Sequence, residues 1–102
     1  MTKNINYEKV INFDWDQGNN DKNWFKHKVS NVEIEEVFLD VNKQEYPNPS
    51  HSIKEIRKII VGKTKKGRIL FIVYTLRNNS IRVISARDLN KRKEVDLYEK
   101  AA

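Results

Sequence analysis

R-I-L-F-I-V-Y-T-L-R-N-N-S-I-R-V-I-S-A-R, residues 68–87, decides the fold. Two runs rich in β-branched and aromatic residues, Arg68 to Leu76 and Ile81 to Arg87, flank Arg77-Asn78-Asn79-Ser80, which is turn chemistry, so the runs pair as an antiparallel hairpin. The hairpin carries Arg68, Tyr74, Arg82, Ser85 and Arg87. An arginine is always charged and offers a planar fork of donors that meets a phosphate bidentately, so arginines fixed on a sheet suit an anionic ligand. If the turn closes with Leu76 opposite Ile81, Thr75 faces Arg82 and Leu70 faces Arg87. Side chains alternate along a strand, so a regular hairpin sends Arg82 and Arg87 to opposite faces; only a bulge would re-aim one of them.

Upstream of the hairpin, Arg57 to Thr64 reads as a further strand through Ile59, Ile60 and Val61, joined to it by a turn at Lys65-Lys66-Gly67, which makes a three-stranded meander. Val10 to Asp16 is a short N-terminal strand whose Asp16 can cap a helix over Gly18 to His27. Gly18, Asn19, Asn20 and Asn23 form helix poorly, so Trp24 and Phe25 are expected to hold it by packing on the core. Ser30-Asn31-Val32-Glu33 fits the S-x-x-E capping box, and Ile34, Val37 and Phe38 follow at helical spacing, so a second helix runs to about Asp40. Between Val41 and Ser52 the periodicity stops and Y-P-N-P-S supplies two prolines, which reads as an exposed loop. Asp88 can cap a last helix from Leu89 to about Lys100. The fold class is therefore α+β: a small antiparallel sheet, a three-stranded meander plus the short N-terminal strand, packed with two N-terminal helices and a C-terminal helix.

The chain has 102 residues, which fits one domain over 1–102, and no cysteine, so neither a disulfide framework nor a thiolate zinc site is available. No apolar run approaches the roughly 18 residues that span a bilayer, and Met1 to Val10 lacks the apolar core of a signal peptide, so a cytoplasmic protein is expected. The net charge of +6 is unevenly divided: residues 1–50 hold 6 Lys/Arg against 9 Asp/Glu, and residues 51–102 hold 14 against 5. The basic half, at +9, suits a polyanion, most simply nucleic acid; the plainer alternative is a solubilising surface.

Six strings in order, F-D-W-D at Phe13 to Asp16, K-H-x-V at Lys26 to Val29, E-x-V-F at Glu35 to Phe38, G-x-x-x-x-G-R at Gly62 to Arg68, V-Y-T-x-R at Val73 to Arg77 and R-x-I-S-A-R at Arg82 to Arg87, resemble the BrnT family of toxins. The resemblance spans most of the chain. It implies a fold similar to the RelE and ParE toxins, a ribonuclease activity that inhibits translation, and a BrnA-type antitoxin encoded beside the toxin, which neutralises it and binds DNA on its own account. Lys28 stands where that family usually has glycine, and the Glu94 and Tyr98 pair is displaced by one residue relative to Arg87.

A metal-free ribonuclease must deprotonate a ribose 2′-hydroxyl, stabilise a phosphorane and protonate the 5′ leaving oxygen. Histidine is the side chain that ordinarily changes charge near neutral pH, so His27 is the natural acid or base, and Arg68 and Arg82 are the natural anion clamps for the catalytic step. Lys26, Tyr74 and Arg87 are candidates for holding the substrate, and Trp15 or Trp24 for stacking on its bases. Each has a plainer role: His27 at a helix end, the tryptophans in packing, Arg87 paired with Asp88 or Glu94. His51 has no partner histidine at ligand spacing, so no metal and no cofactor is expected. The competing reading is a non-catalytic basic module that binds an antitoxin or nucleic acid.

Overall fold

The computed structural model describes residues 12–48, 56–89 and 98–100. Among these residues two helices, α1 (Lys22–His27) and α2 (Asn31–Phe38), precede an antiparallel meander of β1 (Gln44–Pro47), β2 (Arg57–Lys63), β3 (Ile69–Arg77) and β4 (Ser80–Asp88), in the spatial order β1-β2-β3-β4. The meander thus has one strand more than expected. β1 falls where the two prolines suggested a loop; a proline is tolerated there because, among the described residues, β1 is an edge strand with no ladder on its outer side. The N-terminal strand is reduced to a parallel bridge between Phe13 and Ile81, in which the Asp14 N–H donates to the Ile81 carbonyl (2.8 Å) and the Ile81 N–H to that of Asn12 (2.7 Å).

Alternation along β3 divides the core between the two faces of the sheet. Leu70, Ile72 and Tyr74 face α2 with Ile60, Val83, Ala86, Ile34, Val37 and Phe38. Ile69 and Phe71 face the other way, with Ile59, Val61, Leu89 and Tyr98. The α2 capping box forms as the sequence predicts: the Glu33 N–H donates to the Ser30 Oγ, and the Ser30 N–H to the Glu33 carboxylate. α2 lies so close to β2 that a Cβ on Gly62 would stand 2.8 Å from a Val37 methyl, which is why glycine occupies that position. Residues 98–100 are helical, with Tyr98 buried and its hydroxyl donating to Asp40. The rest of the expected C-terminal helix, including Glu94, lies outside the described residues, as do Val10, Ile11 and His51.

Two corrections concern α1. The helix starts at Lys22 rather than Gly18, and Asp16 does not cap it; the Asp16 carboxylate instead accepts from the Gly18 N–H (2.8 Å), and residues 17–21 form turns. Nor do Trp24 and Phe25 pack on the core, since they are 44% and 80% exposed. What holds α1 down is asparagine. The Asn19 side-chain amide donates to the Val83 carbonyl (3.2 Å), and the Asn23 side-chain oxygen accepts from the Ala86 N–H (3.0 Å), so both replace a missing neighbour strand along the free edge of β4. Residues that weaken a helix are here because they complete a sheet.

β4 also carries the bulge that the arginine spacing left open. Leu76, Thr75 and Tyr74 pair with Ile81, Arg82 and Val83, but Val73, Ile72 and Phe71 pair with Ser85, Ala86 and Arg87, leaving Ile84 as the extra residue. Arg82 and Arg87 therefore oppose Thr75 and Phe71, which share the face of β3 turned away from α2.

Candidate active site and basic face

α1 ends against the sheet at a corner built by one guanidinium. Arg68, the residue before β3, donates from Nε and Nη2 to the Asp88 carboxylate (2.6 and 3.0 Å) and from Nη1 to Glu33 (3.1 Å). It also donates to the backbone carbonyls of Lys28 (2.7 Å) and His27 (3.1 Å), so all five of its N–H groups have protein acceptors. The carbonyls that end α1 are thus satisfied by a positive charge, the favourable sign at a helix C-terminus. Lys28 closes the helix in the left-handed conformation (φ 56°), while the Val29 N–H returns to the Asn23 carbonyl (3.2 Å).

The outer face of this corner carries Trp24, His27 and Lys28, which the i, i+3 and i+4 spacing places side by side, and all are exposed. The Lys28 ammonium lies over the Trp24 ring, 5.2 Å from its centroid. Lys26 is exposed on the same helix. The hydrogen bonds from Arg68 hold the Asp88 carboxyl below its usual range despite partial burial, and the His27 charge adds to this. Burial opposes ionisation of Glu33, but hydrogen bonds from the Ser30 N–H and Arg68 outweigh it, so that carboxyl is also held down. The corner therefore presents an imidazole, an aromatic face and lysines outward, on a base whose own charges are already paired.

The other expected site residues are dispersed. Arg82 lies towards the opposite end of β4 and on the face away from α2, with Nη1 and Nη2 donating to the two Asp16 oxygens (2.9 and 3.0 Å) and Asp14 3.5 Å away. Arg82, then the Gly18 N–H, hold the Asp16 carboxyl below its ordinary value. Arg87 stacks its guanidinium on the Phe71 ring at 4.3 Å and donates to the Asp88 carbonyl. Tyr74 is buried on the α2 side, its hydroxyl donating to Glu45 (3.0 Å); burial, then the Glu45 charge, push its ionisation well upward. Trp15 donates from its indole to Glu35 (2.8 Å) and stacks near Phe13, so its polar edge is occupied. His27 and Arg68 thus meet at one corner, with Lys26 exposed on the same helix, and Arg82, Arg87, Tyr74 and Trp15 lie elsewhere.

Sequence reading passed over Arg57 and Lys22. Thr75 pairs with Arg57 on one side and Arg82 on the other, which sets two arginines in one row across three strands. Pairing β2 with β3 residue by residue would have exposed that row.

The family described as "Ribonuclease toxin, BrnT, of type II toxin-antitoxin system" matches residues 15–93. No curated protein matches the chain. Among the described residues, no helix is long and apolar enough to cross a membrane.

Proposed function

The chain belongs to the BrnT ribonuclease toxins of type II toxin-antitoxin systems, and from that premise we propose that it cuts RNA at the α1 corner by metal-independent transesterification. The observation that carries this reading is the exposed His27 imidazole beside Trp24 on the same helix face. A base stacked on the Trp24 ring, an interaction of about 1–3 kcal/mol, would bring its ribose to His27. In the reaction the 2′-oxygen loses its proton, attacks the adjacent phosphorus and expels the 5′-oxygen, which takes up a proton. The products are a 2′,3′-cyclic phosphate and a free 5′-hydroxyl. His27 supplies one of these two proton transfers, and the Lys26 and Lys28 ammonium groups offset the charge that grows on the phosphorane. Arg68 acts as a positioning residue, since its donors fix the backbone on which His27 stands.

Membership of a type II system gives the toxin an antitoxin partner. We assign that partner to the BrnA type, with DNA reached only through it, and place the pair in the cytoplasm. The whole of 1–102 serves as one toxin domain in this reading.

His27→Ala is expected to lower cleavage by about 10²–10⁴-fold while the melting temperature stays that of the parent, because the side chain is exposed. RNA cleavage with and without ribosomes, scored beside growth on induction, measures it. A folded His27→Ala protein as active as the parent removes His27 from the chemistry. A parent that cuts no RNA yet binds its antitoxin would identify the non-catalytic module instead.

A further inference from the structure

α1 has a second neighbour at its other end. A pocket of about 180 Å³ opens there, lined by Gly18 and Asn19 from the turns before α1, by Lys22 at its start and by Arg57, Thr75, Arg77 and Arg82 from three adjacent strands. The row Arg57, Thr75, Arg82 runs across β2, β3 and β4, and Arg77 lies two residues further along β3 on the same side. Four basic side chains converge, and among the described residues no carboxylate lines the pocket. Asp16 and Asp14 offset Arg82 from outside, and the Thr75 hydroxyl donates to the Ile56 carbonyl (2.8 Å), which fixes the floor.

Arg57 is the telling member. Its Nε is buried and has no hydrogen-bond partner among the described residues. A buried donor on a charged group is costly to leave unmade, and native proteins rarely do so without a use for it. An oxygen of a bound oxyanion would supply the missing acceptor, and guanidinium groups on neighbouring strands suit a tetrahedral phosphate.

We propose that this pocket seats a backbone phosphate of the RNA strand, one end of α1 away from the cleavage corner. The proposal rests on the ribonuclease reading for the identity of the strand. α1 spans Lys22 to His27, an axial rise of about 8 Å. A strand lying along the helix therefore sets one phosphate in the pocket and a neighbouring nucleotide against Trp24 and His27. Subsite and corner together fix where along the strand the cut falls.

The test uses the full chain and a fluorescently labelled single-stranded DNA, which lacks the 2′-hydroxyl and cannot be cut. Lys22→Gln and Arg57→Gln are each expected to weaken binding about three- to tenfold and to reduce the slope of log affinity against log salt by about 0.7, the loss of one phosphate contact on a single strand. On RNA the same variants should raise KM with little change in kcat. Lys22 is exposed, so Lys22→Gln decides the matter if Arg57→Gln melts early. Parental affinity and salt slope in Lys22→Gln and in folded Arg57→Gln overturn the proposal, as does a parent that binds no single strand. Inorganic phosphate that competes at the pocket while both variants bind the strand normally would assign it to a free oxyanion and overturn the RNA subsite. A parent that binds the strand through Lys22 and Arg57 yet leaves RNA intact would refute the cleavage reading and leave the subsite standing.

Discussion

Arg68 commits every donor it has inside the protein, and that settles what its removal would do. Arg68→Ala leaves Glu33 and Asp88 without their cation and two carbonyls without a donor, in a corner where the arginine side chain is 26% exposed. Breaking such a pair from one side is expected to cost about 3 kcal/mol, read as a shift in the urea midpoint. Arg68→Lys should recover little of it, because three donors on a single ammonium cannot reach acceptors spread around a planar fork. Lys28 offers the opposite case. A non-glycine residue at φ 56° costs about 1 kcal/mol, whereas its exposed contact with Trp24 returns about 0.5. Lys28→Gly should therefore raise stability by roughly 0.5 kcal/mol in the same titration. A sequence shows that Arg68 is charged; it cannot show that its counter-ions lie 35 residues upstream and 20 downstream, so an arginine that anchors and one that receives a ligand look alike in the sequence.

The elements were legible wherever a local pattern dictates them. The hairpin rests on Asn78 and Asn79, both at positive φ (49° and 66°), as a two-residue turn between right-twisted strands requires. The α2 start rests on a box whose two reciprocal bonds lie within four residues. What stayed hidden was set by contacts distant in sequence: the bulge at Ile84, the extra strand β1, and the late start of α1, which depends on Asn19 and Asn23 reaching strand residues 64 and 63 positions away. The two glycines of G-x-x-x-x-G-R separate cleanly at this scale. Gly67 sits at φ 92° with open space around it, so Gly67→Ala should cost about 1 kcal/mol through backbone strain alone. Gly62→Ala drives a methyl into Val37 and its carbonyl and should cost about 1–3 kcal/mol, because α2 must move off β2. Denaturation of the two variants side by side would show the difference, and a Gly62→Ala protein milder than Gly67→Ala would contradict the close approach of α2.

Across the whole molecule, carboxylates tie the layers together. Asp88 and Glu33 join Arg68 to β4 and α2, and Asp40 joins α2 to β2 and Tyr98; all three are held below their ordinary range. For Asp40, burial opposes ionisation, but hydrogen bonds from Tyr98, then from the Asn42 and Lys63 N–H groups, outweigh it. A carboxyl depressed in the folded state adds stability that is complete above its unfolded value, near 3.9 for Asp and 4.3 for Glu, and is lost as pH falls through the folded value. Melting temperature should therefore hold steady down to about pH 5 and then drop. In Arg68→Ala the drop should be shallower, because Asp88 and Glu33 no longer differ as much between the two states. A melting series from pH 7 to 3 on both proteins checks this, and parallel curves would mean that Arg68 is not what depresses them. The amides of Asn19 and Asn23 and the Phe13 bridge have a further consequence when the molecule is considered as a monomer unit in a polymerisation. Sheets grow into fibres by adding chains at both open sides, and here one side is already terminated by the chain itself. A unit with at most one reactive end can be joined once and then stops, so any edge-to-edge association of this toxin closes at a pair and cannot propagate.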